Sequence, residues 1–187
     1  PLINDPGAIL VKKVYEAGLE VTHVPGASAP LTALVLSGLA EKPFQFIGFF
    51  EKKQGGLVKQ ISDLSLYDGV TVGFVSPHQL LTLLKAFDKA LPGHTLFIAR
   101  EMTKKFEEKV WGTPQELIDK WTHEPIKGEF VLVVPQVKEK VALDPTAWIE
   151  HLQTHFGLNK KEALVVAAKH LALDKRQLYN KLHQHKP

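Results

Sequence analysis

Four apolar runs constrain this chain more than any other feature. Residues 44–50 read FQFIGFF, 70–75 VTVGFV, 94–100 HTLFIAR and 129–134 EFVLVV. The last three run nearly unbroken in Val, Ile, Leu and Phe, without the polar-apolar alternation of a half-exposed strand. Strands of that kind are covered on both faces, which places them in an α/β layer. Between them lie segments with helical spacing. Residues 7–18, 29–39, 55–66 and 78–91 carry apolar side chains three and four apart, and Pro92-Gly93 closes the last. Thr113-Pro114-Gln115-Glu116 reads as a helix start, with Thr113 as cap and Pro114 in the first turn. Residues 20–24 (EVTHV) alternate and predict a strand, and 107–111 (EEKVW) predict an edge strand. The expectation is an α/β layer in which strands alternate with helices.

The end of the chain follows a different pattern. Residues 138–187 hold nine Lys/Arg against five Asp/Glu, whereas residues 1–137 carry a net charge of −1. The same stretch holds five of the nine His. The shift falls at Pro135-Gln136-Val137-Lys138-Glu139-Lys140, which reads as a linker. Beyond it, Asp144-Pro145 opens a helix that Gly157 stops, Asn159 caps a second, and Asp174 caps a third running to about His185. This predicts two domains: an α/β domain over 1–137 and a basic, helix-turn-helix-like all-α extension over 138–187. Lys175, Arg176, Tyr179 and Lys181 on the third helix suit phosphate contact with an aromatic ring beside it; an ordinary solvated helix face has the same composition.

Several chemistries are excluded. The 187 residues contain no Cys, so disulfides, thiolate metal sites and thiol nucleophiles are absent, which suits a reducing cytoplasm. No apolar run approaches the roughly 20 residues of a membrane span. There is no GxGxxG, no Walker loop and no G-x-S-x-G elbow. His151 and His155 stand four apart without the Glu of a zincin, so no metal site is assigned. The chain opens Pro1-Leu2-Ile3-Asn4-Asp5-Pro6-Gly7, with neither an initiator Met nor a signal sequence. That opening reads as a loop between elements, and the expectation is the C-terminal part of something longer.

Three loops at strand ends carry candidate chemistry. Val24-Pro25-Gly26-Ala27-Ser28-Ala29-Pro30 offers small side chains and a helix entry, Ser76-Pro77-His78 follows a buried strand, and Arg100-Glu101-Met102-Thr103-Lys104 follows another. Each alone also reads as structure: a tight turn, or a local ion pair ending a strand.

Taken in order, these segments carry a resemblance. The series PLINDPG, Val24-Pro25-Gly26-Ala27-Ser28-Ala29, Gly48-Phe49-Phe50 with Lys52-Lys53, Ser76-Pro77-His78, Ala99-Arg100-Glu101-Met102-Thr103-Lys104 with Glu107 and Gly112-Thr113, and Gly128-Glu129-Phe130-Val131-Leu132-Val133 resembles the tetrapyrrole-methylase fold. More narrowly it resembles the bacterial small-subunit rRNA ribose-2′-O-methyltransferase I family. The match runs from residue 1 to about 136. It implies the α/β C-terminal domain of that fold, a mixed sheet of about five strands with flanking helices, with the N-terminal domain and its S-adenosylmethionine (SAM) loop outside the chain. It implies SAM-dependent methylation of a cytidine 2′-hydroxyl in small-subunit (16S) rRNA, on free rRNA or the 30S particle, by a cytoplasmic homodimer. Ser28, Ala29, Val75, Met102 and Thr103, with Leu132 or a neighbour on its strand, are implied to line the SAM pocket. Glu101 is the candidate base or orienter, with Arg100 and Lys104 as electrostatic stabilisers. Lys52, Lys53, Lys175, Arg176 and Lys181 are the candidate RNA contacts. Val75 stands where many members have Glu. The alternatives are methylation of a tetrapyrrole carbon and a non-catalytic RNA-binding module; the basic tail and Lys52-Lys53 argue against the first.

Overall fold

The computed structural model describes residues 2–137 and 145–170 together with residues 174, 176, 178 and 179. The chain divides into two compact units, residues 1–138 and 139–187.

In the first unit the buried runs assemble one five-stranded sheet: β1 (Phe44–Phe49), β2 (Val70–Val75), β3 (Leu96–Arg100), β4 (Glu108–Gly112) and β5 (Phe130–Val134), in the order β1-β2-β5-β3-β4. β1 and β2 are parallel, whereas β5 lies antiparallel to both β2 and β3, and β4 antiparallel to β3. The last strand in sequence therefore sits in the middle, and every β5 residue is buried. Its alternation sends Val131 and Val133 to one face, where they join Val70, Val72, Phe97 and Ala99 beneath Ala33 and Leu34 of α2 (Ala29–Leu36). On the other face Phe130 meets Trp121 of α5 (Pro114–His123) edge to face, with ring centroids 5.9 Å apart. Beside α5 pack α4 (Leu80–Ala90) and then α3 (Gln54–Leu64). α4 buries Leu80, Leu83, Leu84 and Phe87, spaced as the helical period requires. At α5, Thr113 Oγ1 accepts from Glu116 N while Glu116 Oε2 accepts from Thr113 N, a complete capping box.

Two expectations need correction. Residues 20–24 form no strand; the chain from Leu19 to Ser28 is irregular, and Val24 is 91% exposed. Alternation makes a segment able to pair, but among the described residues no strand stands beside this one. The segment 7–18 shortens to α1 (Gly7–Glu16), because Gly18 takes a left-handed φ of 69° just past its end. β1 is also less regular than its run of residues implies. Its register against β2 shifts between Phe46 and Phe49, where Gly48 has φ 71°. The bulge leaves Phe49 half exposed while the next residue, Phe50, is buried.

In the second unit α6 (Pro145–Phe156) ends at Gly157, φ 64°, and α7 (Lys160–His170) is capped by Asn159, whose Oδ1 accepts from Lys161 N and Glu162 N. Asp174 Oδ1 accepts from Arg176 N, as a helix cap would. Lys175 and Lys181 lie outside the described residues.

Candidate functional site

The strand directions determine where a site can form. β1, β2 and β3 all end at one edge of the sheet, and antiparallel β5 begins there. A cavity of about 420 Å³ opens at that edge. Its walls are Phe49 from β1, Phe74, Val75, Ser76 and Pro77 from the end of β2, Met102 after β3, Gly128, Glu129, Phe130 and Val131 at the start of β5, and Ala29 opening α2. The lining is mostly apolar, and Glu129 is its single ionisable residue. A smaller hollow of about 160 Å³ shares Ala29 and Phe74 with it and adds Leu2, Ile3, Asp5, Ser28 and Pro30.

The walls are tied to one another by polar contacts. Ser76 Oγ donates to Gln79 Oε1 at 3.3 Å, Gln79 Nε2 donates to Glu51 O at 3.2 Å, and Glu51 N donates to Gln60 Oε1 at 2.9 Å. These bonds join the exits of β1 and β2. The turn after β3 is more strongly constrained. Glu101 and Thr103 both adopt left-handed conformations, φ 47° and 64°, which non-glycine residues seldom hold without support. The support is local: Lys104 N donates to Glu101 O at 3.0 Å and Thr103 N to Glu107 Oε2 at 2.7 Å. The result is that Met102 lies in the cavity wall.

Glu101 also joins this turn to β5. Its N–H donates to Glu129 O at 3.0 Å, and its Oε1 accepts from Glu129 N at 2.9 Å and Lys104 Nζ at 3.0 Å. Lys104 Nζ reaches Glu129 Oε2 as well, at 3.0 Å. The Lys104 hydrogen bond, then that from Glu129 N–H, holds the Glu101 carboxyl below its ordinary range; the two glutamates raise Lys104 above its own. Gly128, φ 96°, makes the approach possible: a Cβ there would stand 2.5 Å from Glu101 Cγ.

The expected site residues thus fall into three groups. Ala29, Val75 and Met102 line the main cavity, and Ser28 lines the adjoining hollow. Thr103 shapes the turn, while Leu132 is fully buried and its neighbour Val131 takes the cavity wall. Arg100, Glu101 and Lys104 surround the cavity without lining it. Arg100 is fully engaged: Nε donates to Lys127 O at 2.8 Å, Nη2 to Pro125 O at 3.3 Å, Nη1 pairs with Glu108 at 3.5 Å, and its guanidinium covers the Phe130 ring. Lys52 and Lys53 are exposed just before α3, and Arg176 is exposed in the second unit. Phe49, Ser76 and Glu129 were absent from the expected pocket. Phe49 and Ser76 stand at the ends of β1 and β2, and the Ser76 loop is one of the three strand-end loops the sequence offers. Glu129 becomes visible only when β5 is known to run antiparallel between β2 and β3, because that topology brings the start of one strand to the ends of the others.

This architecture defines a class. The chain matches the cobalamin-biosynthetic cobalt precorrin-4 methyltransferase CbiF with a TM-score of 0.51 at 16% identity, over 69% of this chain and 58% of that one. It matches the methyltransferase CobJ with a TM-score of 0.51 at 20% identity, over 71% and 60%. The fold is that of the tetrapyrrole methylases. No protein-family model matches the chain. Curated relatives narrow the class. Ribosomal RNA small subunit methyltransferase I of Bacillus subtilis is 34% identical over 191 residues, 98% of this chain and 65% of that protein. The protein of the same name from Halalkalibacterium halodurans is 34% identical over 192 residues, and that from Mesorhizobium japonicum 36% over 186. The chain belongs to the ribosomal RNA small subunit methyltransferase I family, and it spans about 65% of the length of the first of these relatives.

Proposed function

We propose that this protein supplies one wall of the SAM site of a methyltransferase that modifies a cytidine 2′-hydroxyl in small-subunit rRNA. One observation carries the reading: a ligand-sized apolar cavity stands at the strand ends, lined by residues of the same segments that carry the family resemblance. Its volume of about 420 Å³ lies within the range of small-molecule sites, roughly 300–1,000 Å³. The residues fit SAM. Phe49, Phe74, Val131 and Met102 offer apolar surface to its adenine and methionine chain, and the N-terminus of α2 and the exit of β2 offer backbone polar groups. When bound, SAM supplies an electrophilic methyl group on a good leaving group.

The protein's own task is then orientation and proton removal. Holding the acceptor in line with the methyl group removes much of the entropic barrier. A ribose hydroxyl is a poor nucleophile until its proton leaves, so a general base must stand close by. Glu101, whose Oε1 already takes two hydrogen bonds, acts as an orienter, with Lys104 as the charge between it and Glu129. Val75, in place of the family's Glu, adds apolar wall. Lys52, Lys53, Lys175, Arg176 and Lys181 hold the rRNA through phosphates. The remaining length of the relatives would complete the cleft, within a cytoplasmic homodimer.

The test is methyl transfer from labelled SAM to unmethylated 30S particles, to free 16S rRNA and to a tetrapyrrole precursor. Label in the particle, at one alkali-resistant cytidine linkage, supports the reading. Label only in the tetrapyrrole assigns the alternative. SAM binding is followed separately by calorimetry on protein that includes the remaining length of the relatives, and its absence there would remove this cavity from the site.

A further inference from the structure

We propose that Glu129 is the carboxylate that takes the proton from the acceptor hydroxyl, with Glu101 and Lys104 as its positioning residues. This rests on the methyltransferase reading above and assigns its unassigned base.

The cavity makes the selection. Four charged groups crowd the turn after β3, namely Arg100, Glu101, Lys104 and Glu129, and Glu129 alone lines the cavity. The two glutamates differ in what their oxygens do. Glu101 has a side chain only 17% exposed, pressed against Gly128, with Oε1 accepting from two donors. Glu129 has a side chain 84% exposed, and only its Oε2 is engaged, by Lys104. Its Oε1 has no partner among the described residues, so one oxygen is open to an incoming O–H.

The backbone beneath Glu129 is unusually well fixed for so exposed a side chain. Its N–H and its carbonyl both bond to Glu101, at 2.9 and 3.0 Å, and Lys104 restrains the carboxylate at 3.0 Å. The carboxylate is thus presented from a fixed backbone, with one of its oxygens held by Lys104. In the step it serves, the hydroxyl O–H bond breaks and the proton passes to Glu129. The oxygen's electron pair forms the new bond to the methyl carbon. The methyl–sulfur bond breaks, and its electron pair stays on sulfur as a neutral thioether.

The experiment uses this chain joined to the remaining length of its relatives, with SAM calorimetry and methyl transfer to unmethylated 30S particles. Glu129→Gln should keep SAM affinity within about twofold while kcat falls on the order of 100-fold, the usual range for losing a positioned base. Glu129→Asp should recover part of that loss. Glu101→Gln should lower kcat about tenfold with SAM affinity kept, because the base survives and only its support is weakened. Two results overturn the assignment: Glu129→Gln with kcat within threefold of the parent, or a loss of SAM affinity that accounts for the whole defect. A parent protein that binds SAM and transfers no methyl group to any acceptor refutes the methyltransferase reading, and this inference with it.

Discussion

α1 and α4 look alike as sequences and end up in opposite environments. GAILVKKVYE and LLTLLKAFDKA both repeat apolar residues at helical spacing, and both form helices. α4 buries Leu80, Leu83, Leu84 and Phe87 between α3 and α5. α1 buries nothing: Ile9, Leu10 and Tyr15 are 63, 66 and 62% exposed. Periodicity therefore reports that a helix has an apolar side. It does not report what covers that side, which depends on chain distant in sequence.

The sharpest way to break the comparison is to remove a large α4 side chain. Phe87 is fully buried and meets Phe50 at 6.0 Å between ring centroids. Phe87→Ala should cost about 3–5 kcal/mol, combining lost transfer energy with the cavity left behind. Urea unfolding of the whole chain measures it. A loss below about 1 kcal/mol would mean that α4 is no better anchored than α1.

A smaller effect tests the ends of the helices. Thr113 completes a capping box at α5, whereas Pro6 before α1 makes no side-chain cap bond. Thr113→Ala should cost about 1 kcal/mol. Pro6→Ala should cost little, since no cap is lost. Equal losses at the two sites would show that the box contributes nothing beyond its geometry.

The Glu101 contacts predict a pH dependence. The carboxyl is held below its ordinary value of 4.5 by Lys104 and Glu129. A depressed folded pKa gives stability that is present above 4.5 and is lost as pH falls through the lower folded value. Stability of the parent should therefore fall more steeply below about pH 4.5 than that of Glu101→Gln. Parallel curves from urea titrations at pH 6 and in acid would mean that the contacts leave the group's titration unchanged on folding.

The same contrast explains what could be read from the sequence. β2, β3 and β5 were legible because double burial leaves a compositional mark on a strand: nothing polar survives at Val131 to Val134 or Ile98 to Ala99. Caps were legible because Thr113, Asn159 and Asp174 bond within a few residues of themselves. Residues 20–24 misled because alternation is a property of one segment and pairing a property of two. The bulge at Gly48 was hidden, since a Gly in an aromatic run has no signature until its φ is known. The site was legible in part. Ala29, Val75 and Met102 follow strand ends or open a helix, positions where ligands gather. Glu129 precedes its strand, so its place at the cavity depends on the antiparallel insertion of β5, which no local pattern announces.

The smallest expected effect is on α1 itself. Ile9→Ser combined with Leu10→Ser replaces two side chains that stand 63 and 66% exposed. Little apolar area returns to water on unfolding from such positions, so the transfer term is small. Ile and Ser also differ little in helix propensity, and Leu to Ser adds only a few tenths of a kcal/mol. The pair should change the stability of this chain by about 0.5 kcal/mol or less. A loss above about 1.5 kcal/mol would mean that something covers α1 in solution, and repeating the measurement over a hundredfold range of protein concentration identifies it. A loss that grows with concentration assigns the cover to a second copy of the chain. A loss independent of concentration assigns it to a segment of the same chain, and the contrast between α1 and α4 would then disappear.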